Sequence, residues 1–243
     1  MLTLQRLSKR FGPHWALQDL DLRVGPGEIQ CLLGANGAGK TTTLHLVLGF
    51  LSPTTGAAYV DGIEVARNAI HARAQLAFVP EQVSLYPLLT GLENLKYFTQ
   101  LGGKYDVPSA QLRQCLDQVG LERTAVDERV AHYSKGMRQK VALAIALAKG
   151  ARALLLDEPL SGLDPKAANE FCALVRELAK RGAAVLMATH DLFRAKELGG
   201  RLGIMRAGRL LTNIAAADVS HAQLDQIYLD CMHDGSLRAG AEQ

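Results

Sequence analysis

The sequence predicts an α/β fold: a mostly parallel sheet covered by helices, accompanied by a small antiparallel β-subdomain. The strongest observation is a glycine-rich loop with a lysine, at residues 34–41, between a predicted strand (Ile29–Leu33) and a predicted helix (residues 41–48). Fully apolar strand segments recur later in the chain and end in charged residues, as buried parallel strands do. A long helical segment interrupts this alternation, which indicates an inserted helical lobe.

Length and composition exclude several classes of protein. The 243 residues suffice for one large α/β domain or two small lobes, and 48% of them are hydrophobic. The net charge of +3 is too small and too scattered to indicate nucleic-acid binding. No apolar run approaches the roughly 20 residues of a membrane span, and the N-terminal stretch lacks the apolar core of a signal peptide. We therefore expect a cytoplasmic chain without a nucleic-acid partner.

The cysteines support the same compartment. They lie at Cys31, Cys115, Cys172 and Cys231, too far apart in sequence for any pair to show metal-ligand spacing. We interpret them as buried or incidental thiols in a reducing compartment.

Two amphipathic strands begin the chain. Leucines and a valine alternate with polar residues over residues 2–7 and 20–24, which predicts part of a small antiparallel sheet. Phe11 and Trp15 lie in the turn between these strands. Both rings could simply cover the sheet, or one could stack on an adenine, and the residues alone favour the first interpretation.

The loop at residues 34–41, called the phosphate loop below, matches G-x-x-x-x-G-K-[ST] at every fixed position. Its glycines let backbone N–H groups converge on an anion, and the next helix adds its positive end. Lys40 supplies charge for the β- and γ-phosphates, and the Thr41 hydroxyl can bind Mg²⁺. A dinucleotide site is excluded because Gly34 and Gly37 do not form G-x-G-x-x-G. The predicted nucleotide-binding residues are Gly34, Asn36, Gly37, Ala38, Gly39, Lys40, Thr41 and Thr42.

The next segments predict a hairpin, a buried strand and an unusual loop. Asp61-Gly62 is a hairpin signal, and the apolar residues 76–79 form a strand that Pro80 ends. Residues 81–89 are then so apolar that exposing them would be costly, so a partner should cover them.

Residues 90–149 show helical spacing throughout, which defines the inserted lobe. Ser134 is a good N-cap for the last of these helices, which is apolar on nearly every face and therefore buried. Plain capping alone would explain Ser134-Lys135-Gly136.

Two later strands end in polar groups. The apolar strand at residues 153–157 runs into Asp157 and Glu158, at the sheet edge that carries the phosphate loop. Asp157 suits a Mg²⁺ ligand, and Glu158 can orient or deprotonate a water molecule. The strand at residues 183–189 ends at His190, which is placed to reach a γ-phosphate although a lone histidine is usually structural. A final hairpin, a short helix or strand at residues 224–232 and a disordered tail beyond residue 234 complete the prediction.

Taken in order, these motifs resemble the nucleotide-binding subunit of an ABC transporter over residues 2–230. The matching segments are 34–41, Glu81-Gln82, 133–137, Asp157-Glu158, 161–164 and His190. The resemblance implies a P-loop NTPase core of the RecA-like type at residues 2–89 and 150–212. It places the α-helical lobe at residues 90–149 and a tail at residues 231–243.

Further roles follow from the resemblance. In this family two subunits close head to tail around two ATP molecules, and each phosphate loop faces the signature helix of the other subunit. The resemblance implies ATP hydrolysis with Mg²⁺, and it assigns the remaining contacts as follows: Phe11 to the adenine, Ser134 and Gly136 to the γ-phosphate in trans, Asp164 to the dimer contact, Glu158 to catalysis and His190 to the γ-phosphate switch.

Two departures from the family pattern leave alternatives open. The signature Leu-Ser-Gly-Gly-Gln reads Tyr-Ser-Lys-Gly-Met at residues 133–137, and Lys135 could add a cation near the phosphates or point to solvent, which we favour. The position of the metal- and water-binding glutamine falls on Glu81, with Gln82 next, so both are candidates for metal binding and catalysis. Both departures resemble the branch that serves ABC-2-type permeases, commonly exporters. The signature run is also similar to that of the ATPase for copper-site maturation of nitrous-oxide reductase.

We therefore expect a homodimer at the inner face of the cell membrane, docked near residues 81–89 on an ABC-2-type permease. An ABC ATPase of a maturation or regulatory complex, or one acting on DNA or ribosomes, is the alternative. The latter type usually has two cores, coiled-coil insertions or basic arms, and none is seen. A regulatory subunit without turnover would lack Glu158, and a generic kinase or GTPase would not explain residues 133–137 or 161–164.

Overall fold

Two β-sheets organise residues 1–233, the part of the chain described by this computed structural model. The tail expected beyond residue 234 lies outside the described residues. The strands are β1 (Leu2–Phe11), β2 (His14–Val24), β3 (Ile29–Leu33), β4 (Thr55–Val60), β5 (Ile63–Glu64), β6 (Leu76–Val79), β7 (Ala153–Asp157), β8 (Ala184–Thr189), β9 (Arg201–Arg206) and β10 (Arg209–Ala215).

The helices cover both faces of the larger sheet. They are α1 (Lys40–Val47), α2 (Ala69–Ala74), α3 (Gly91–Leu101), α4 (Ser109–Gln118), α5 (Arg123–Val126), α6 (Lys135–Lys149), α7 (Pro165–Lys180), α8 (Leu192–Leu198) and α9 (His221–His233), with short 3₁₀ turns at Val130–His132 and Ala216–Asp218. Among the described residues, no helix is both long and apolar enough to cross a membrane.

The larger sheet has the order β10-β9-β3-β8-β7-β6, and all its neighbouring pairs except β10–β9 are parallel. The central strands β3, β7 and β8 are buried on both faces, which explains their continuous apolar sequences. Leu32 and Leu155 face the core under α1, whereas Leu33 and Leu156 face the core under the remaining helices. The α/β class predicted from the sequence is confirmed.

The smaller sheet is antiparallel and has the order β2-β1-β4-β5. Alternating leucines of β1 and β2, such as Leu4 and Leu22, share one apolar core with Leu44 of α1 and with the upper face of the larger sheet. Helix α1 therefore lies between the two sheets, which fixes the phosphate loop at its N-terminus.

The helical segment between β6 and β7 is not isolated from the rest of the molecule. Helix α6 contacts α3 and α4 on one side and β6 and α7 on the other. Leu112 of α4, Leu143 of α6 and Leu154 of β7 belong to one continuous apolar cluster. The predicted helical lobe is thus built onto the sheet through a shared helix.

The C-terminal part is more extensive than the sequence suggested. Strand β10 runs to Ala215, three residues past the predicted end of the core, and α9 includes residues 231–233, which the sequence pattern places in the tail. Tyr228 and Met232 of α9 pack against the main apolar cluster, and Arg206 Nη1 donates a hydrogen bond to the Cys231 carbonyl. These contacts attach α9 to the main body of the fold.

Three of the four cysteines are buried, as predicted. Cys31, Cys115 and Cys172 lie in the core. Burial, together with the nearby Cys172, raises the pKa of the Cys31 thiol to about 12. A thiol with so high a pKa is unreactive at neutral pH.

Candidate functional site

The phosphate loop wraps around the amine of its own lysine. Lys40 Nζ donates to the carbonyl oxygens of Gly34, at 2.5 Å, and Ala35, at 3.2 Å, and the side chain is only 6% exposed. Burial lowers the pKa of Lys40, whereas the neighbouring Glu158 and Asp157 carboxylates act in the opposite direction. The amine is thus a preorganised cation at the mouth of the loop.

Glycine is required at two positions of this loop. A Cβ at Gly34 would lie 2.4 Å from the Met205 carbonyl oxygen, so β9 approaches the loop too closely for any side chain. Gly39 adopts φ +104, which is unfavourable for other residues, and a Cβ there would lie 2.6 Å from the Ala16 carbonyl oxygen. The loop is therefore held between β2 and β9.

Strand β7 delivers two carboxylates to the start of α1. The Thr41 hydroxyl donates to Asp157 Oδ1 at 3.1 Å. Burial raises the pKa of Asp157, and the hydrogen bond from Thr41 opposes that effect. A carboxylate and a hydroxyl side by side are the oxygen donors that Mg²⁺ accepts alongside phosphate oxygens and water, so these residues fit a magnesium ion.

Glu158 connects the lysine to the histidine. Its Oε1 lies 3.7 Å from Lys40 Nζ, and its Oε2 lies 3.0 Å from His190 Nδ1. Thr189 Oγ1 donates to the same Oε2 at 3.1 Å. Oε1 is buried without a hydrogen-bond partner among the described residues. The carboxylate therefore keeps one acceptor available for a ligand or water.

Sheet register explains why these residues meet. Strands β7 and β8 are parallel neighbours in which Asp157 pairs with Ala188, so the residues that follow each strand emerge side by side. The predicted group of Lys40, Thr41, Asp157, Glu158 and His190 is brought together at one edge of the sheet.

Thr189 was missed by sequence reasoning, although a hydroxyl residue immediately before His190 was a detectable signal. It is 1% exposed at the end of β8, and its oxygen also accepts from the Asp191 amide at 3.1 Å. A single hydroxyl thus anchors both Glu158 and the turn that carries His190.

Phe11 lies at the tip of the β1–β2 hairpin. Its ring is 46% exposed, and Lys9 Nζ lies 5.0 Å from the ring centre. Trp15 is 36% exposed and pairs instead with Arg10, whose guanidinium lies 5.4 Å from the ring centre. Strand β2, which follows this hairpin tip, contacts the phosphate loop at Ala16, and stacking of Phe11 on an adenine stays a prediction.

Glu81 and Gln82 follow β6, the strand beside β7. Both side chains are exposed. Gln82 lines an apolar groove between the sheet and the helical segment, together with Leu85 and Phe98. Gln82 therefore faces the groove. That Glu81 or Gln82 binds the metal or the water molecule stays a prediction.

The signature segment, residues 133–137, begins α6. Ser134 Oγ accepts from the Met137 amide at 3.2 Å, so Ser134 is the predicted N-cap. Asp164 caps the neighbouring helix α7 by accepting from the Ala167 amide at 2.9 Å. A Cβ at Gly136 would lie 3.4 Å from Ala167 Cβ, so the two helix starts are closely apposed.

Lys135 does not extend into solvent, whereas its other predicted role, a cation near the phosphates, stays a prediction. Its ammonium donates to the Ser161 carbonyl oxygen at 2.5 Å, and the residue is half-buried. The solvent placement is wrong because the Ser161 carbonyl, in the loop before α7, lies within reach of a side chain on the first turn of α6.

Fold and loop together define a nucleotide hydrolase of the P-loop class. The family model described as "ABC transporter" matches residues 17–161, and the chain belongs to that family as an ATP-binding and ATP-hydrolysing subunit. Among its relatives, the uncharacterized ABC transporter ATP-binding protein YdbJ of Bacillus subtilis is 34% identical, over 88% of this chain and 69% of the relative.

Two further similarities concern function. The Nod factor export ATP-binding protein I of Cupriavidus metallidurans is 35% identical, over 86% of this chain and 69% of the relative. The dimeric post-hydrolysis structure of the ATP-binding cassette MJ0796, bound to ADP and Pi, superposes with a TM-score of 0.77 at 28% identity, covering 89% of this chain and 99% of that one. The predicted family, fold and ATPase class are confirmed.

Proposed function

We propose that this ATPase powers an ABC-2-type exporter as a head-to-tail homodimer bound to a membrane permease. The observation that carries the proposal is the contact of Glu158 with both Lys40 and His190, next to Thr41 and Asp157. Such an arrangement suits attack of water on a bound γ-phosphate, because catalysis of phosphoryl transfer is mostly positioning and charge neutralisation.

In this mechanism each side chain has a separate task. Lys40 leaves its loop carbonyls to neutralise the β- and γ-phosphates, and Glu158 orients the attacking water through its unpaired Oε1. His190, held by Glu158 Oε2, contacts the γ-phosphate. Thr41 and Asp157 would hold Mg²⁺, which supplies charge neutralisation at the phosphate oxygens when bound. Glu81 or Gln82 adds a further oxygen ligand, and Phe11 stacks on the adenine.

The second half of each site comes from the other subunit. Ser134, Gly136 and Asp164 lie at the starts of α6 and α7, where two helix N-termini face outward. A helix N-terminus is a ready anion site, so these starts suit the γ-phosphate of ATP bound to a partner. The dimeric state of MJ0796 supports the same assembly.

The apolar groove is the proposed permease site. It has a volume of about 740 Å³ and is lined by apolar side chains such as Phe50, Leu85, Phe98, Leu101 and Ile145. Leu101 is 66% exposed, so the isolated subunit leaves apolar surface in water. A short amphipathic helix of a membrane protein would cover it. The export direction rests on the name of the Cupriavidus relative and on the signature run.

Affinity purification of the tagged chain from detergent-solubilised membranes of its native host tests this proposal. We expect a multi-span membrane protein to copurify with the wild-type chain. Leu101→Asp should reduce that recovery at least about tenfold, because a buried unpaired carboxylate is costly. Leu229→Asp is the matched control, since Leu229 is exposed on α9, outside the groove. Recovery of soluble proteins alone would contradict the transporter assignment.

A further inference from the structure

Helix α6 holds the loop that connects the two carboxylates of β7 to α7. Lys135 Nζ donates to the Ser161 carbonyl oxygen at 2.5 Å, and Gln139 Nε2 donates to the Pro159 carbonyl oxygen. Lys135 and Gln139 are one turn apart on the same helix face. Two side chains of α6 thus bind alternate carbonyl groups of a single short loop.

This loop, residues 158–164, joins the group of side chains around Glu158 to the apposed starts of α6 and α7. It starts at Glu158 and ends at Asp164, the N-cap of α7. Inside it the Ser161 amide donates to the Glu158 carbonyl oxygen at 3.2 Å, which forms a tight turn directly after the candidate catalytic carboxylate. A shift at Ser161 is therefore transmitted to the Glu158 backbone through only three residues.

Glu158 is sensitive to such a shift. Its backbone has φ +44, a conformation that costs a non-glycine residue energy and persists only where neighbouring contacts impose it. One such contact is the hydrogen bond from the Glu158 amide to the Ala188 carbonyl oxygen at 2.8 Å, and the turn to Ser161 is another.

We propose that Lys135 is a positioning residue that couples the start of α6 to the geometry of Glu158 in the same subunit. A charge-assisted hydrogen bond holds the Ser161 carbonyl, and a glycine at position 135 would have no donor to replace it. Because Ser134 faces the nucleotide of the partner in the proposed dimer, on which this inference rests, Lys135 links that distant site to local hydrolysis. The coupling runs from Ser134 through Lys135 and Ser161 to Glu158.

The test is steady-state kinetics of Lys135→Met, Lys135→Gly and Lys135→Arg. For Met and Gly we expect kcat to fall about tenfold, as one charge-assisted hydrogen bond is lost, with KM for ATP changed less than about twofold. The Hill coefficient for ATP should fall toward one because the two sites lose their coupling. Lys135→Arg retains a cationic donor and should recover most of kcat. Lys180→Met, 72% exposed on α7, is the matched control.

A dimerisation measurement distinguishes the positioning role of Lys135 from direct binding of phosphate by its side chain. Combined with Glu158→Gln, Lys135→Met should leave ATP-driven dimerisation unchanged. Loss of dimerisation, or a KM increase without a kcat change, would show that Lys135 binds the partner's nucleotide and would overturn the positioning role. Wild-type kcat and cooperativity in both Met and Gly variants would overturn it as well. If the Glu158→Gln protein itself stays monomeric with ATP, the proposed dimer fails, independently of Lys135.

Discussion

At the scale of residues, Glu158 is the most constrained side chain of the site. It is 15% exposed, bonded to Thr189 and His190 on one oxygen, and close to Lys40 on the other. Such contacts fix the carboxylate before any ligand binds, which is the preorganisation that electrostatic catalysis needs. His190 is the exposed partner, at 62%, and so the one that a ligand can reach.

Replacing His190 by alanine should therefore impair hydrolysis more than binding. We expect His190→Ala to lower kcat about a hundredfold, the usual scale for a positioned polar group in proton transfer or charge stabilisation. Fluorescence of Trp15, the single tryptophan of the chain, can report ATP binding, which should be retained. His71→Ala, exposed on α2, serves as the control. A wild-type kcat in His190→Ala would remove the histidine from the mechanism.

At the scale of elements, α6 has two functions. Its middle is buried between helices α3 and α4 and the larger sheet, and its N-terminus is exposed to solvent at Ser134. Gly150 ends the helix in a left-handed conformation, at φ +68, so the helix length is fixed at both ends. A helix anchored in this way presents its positive end without local rearrangement.

The variant Ser134→Asp distinguishes helix capping by Ser134 from phosphate binding by the same side chain. Asp is as good an N-cap as Ser, so Ser134→Asp should unfold at nearly the wild-type temperature. Its negative charge would face the γ-phosphate of the partner's ATP, and we expect ATPase activity to fall at least about a hundredfold. Ser134→Thr keeps both cap and hydroxyl and should remain active. Full activity of the Asp variant would reduce Ser134 to a cap.

At the scale of the whole molecule, the sequence predicts single motifs and elements better than the contacts between elements. Apolar strands flanking a phosphate loop are local signals, and the sheet edge then places Asp157 and Glu158 beside Lys40. The bond from Lys135 to Ser161 depends on how α6 and the loop before α7 meet in space. The same is true of Thr189, whose role arises only when β7 and β8 are neighbours. Long-range packing, not local pattern, decides these contacts.

In the proposed dimer each chain holds half of each hydrolysis site, and ATP joins the two chains. Light scattering of Glu158→Gln tests it most directly, because this variant should bind ATP and hydrolyse it too slowly to release the partner. We expect a mass of 26.2 kDa without nucleotide and twice that mass with ATP. A mass of 26.2 kDa in both conditions, with ATP bound as judged by Trp15 fluorescence, would show that ATP does not join two chains.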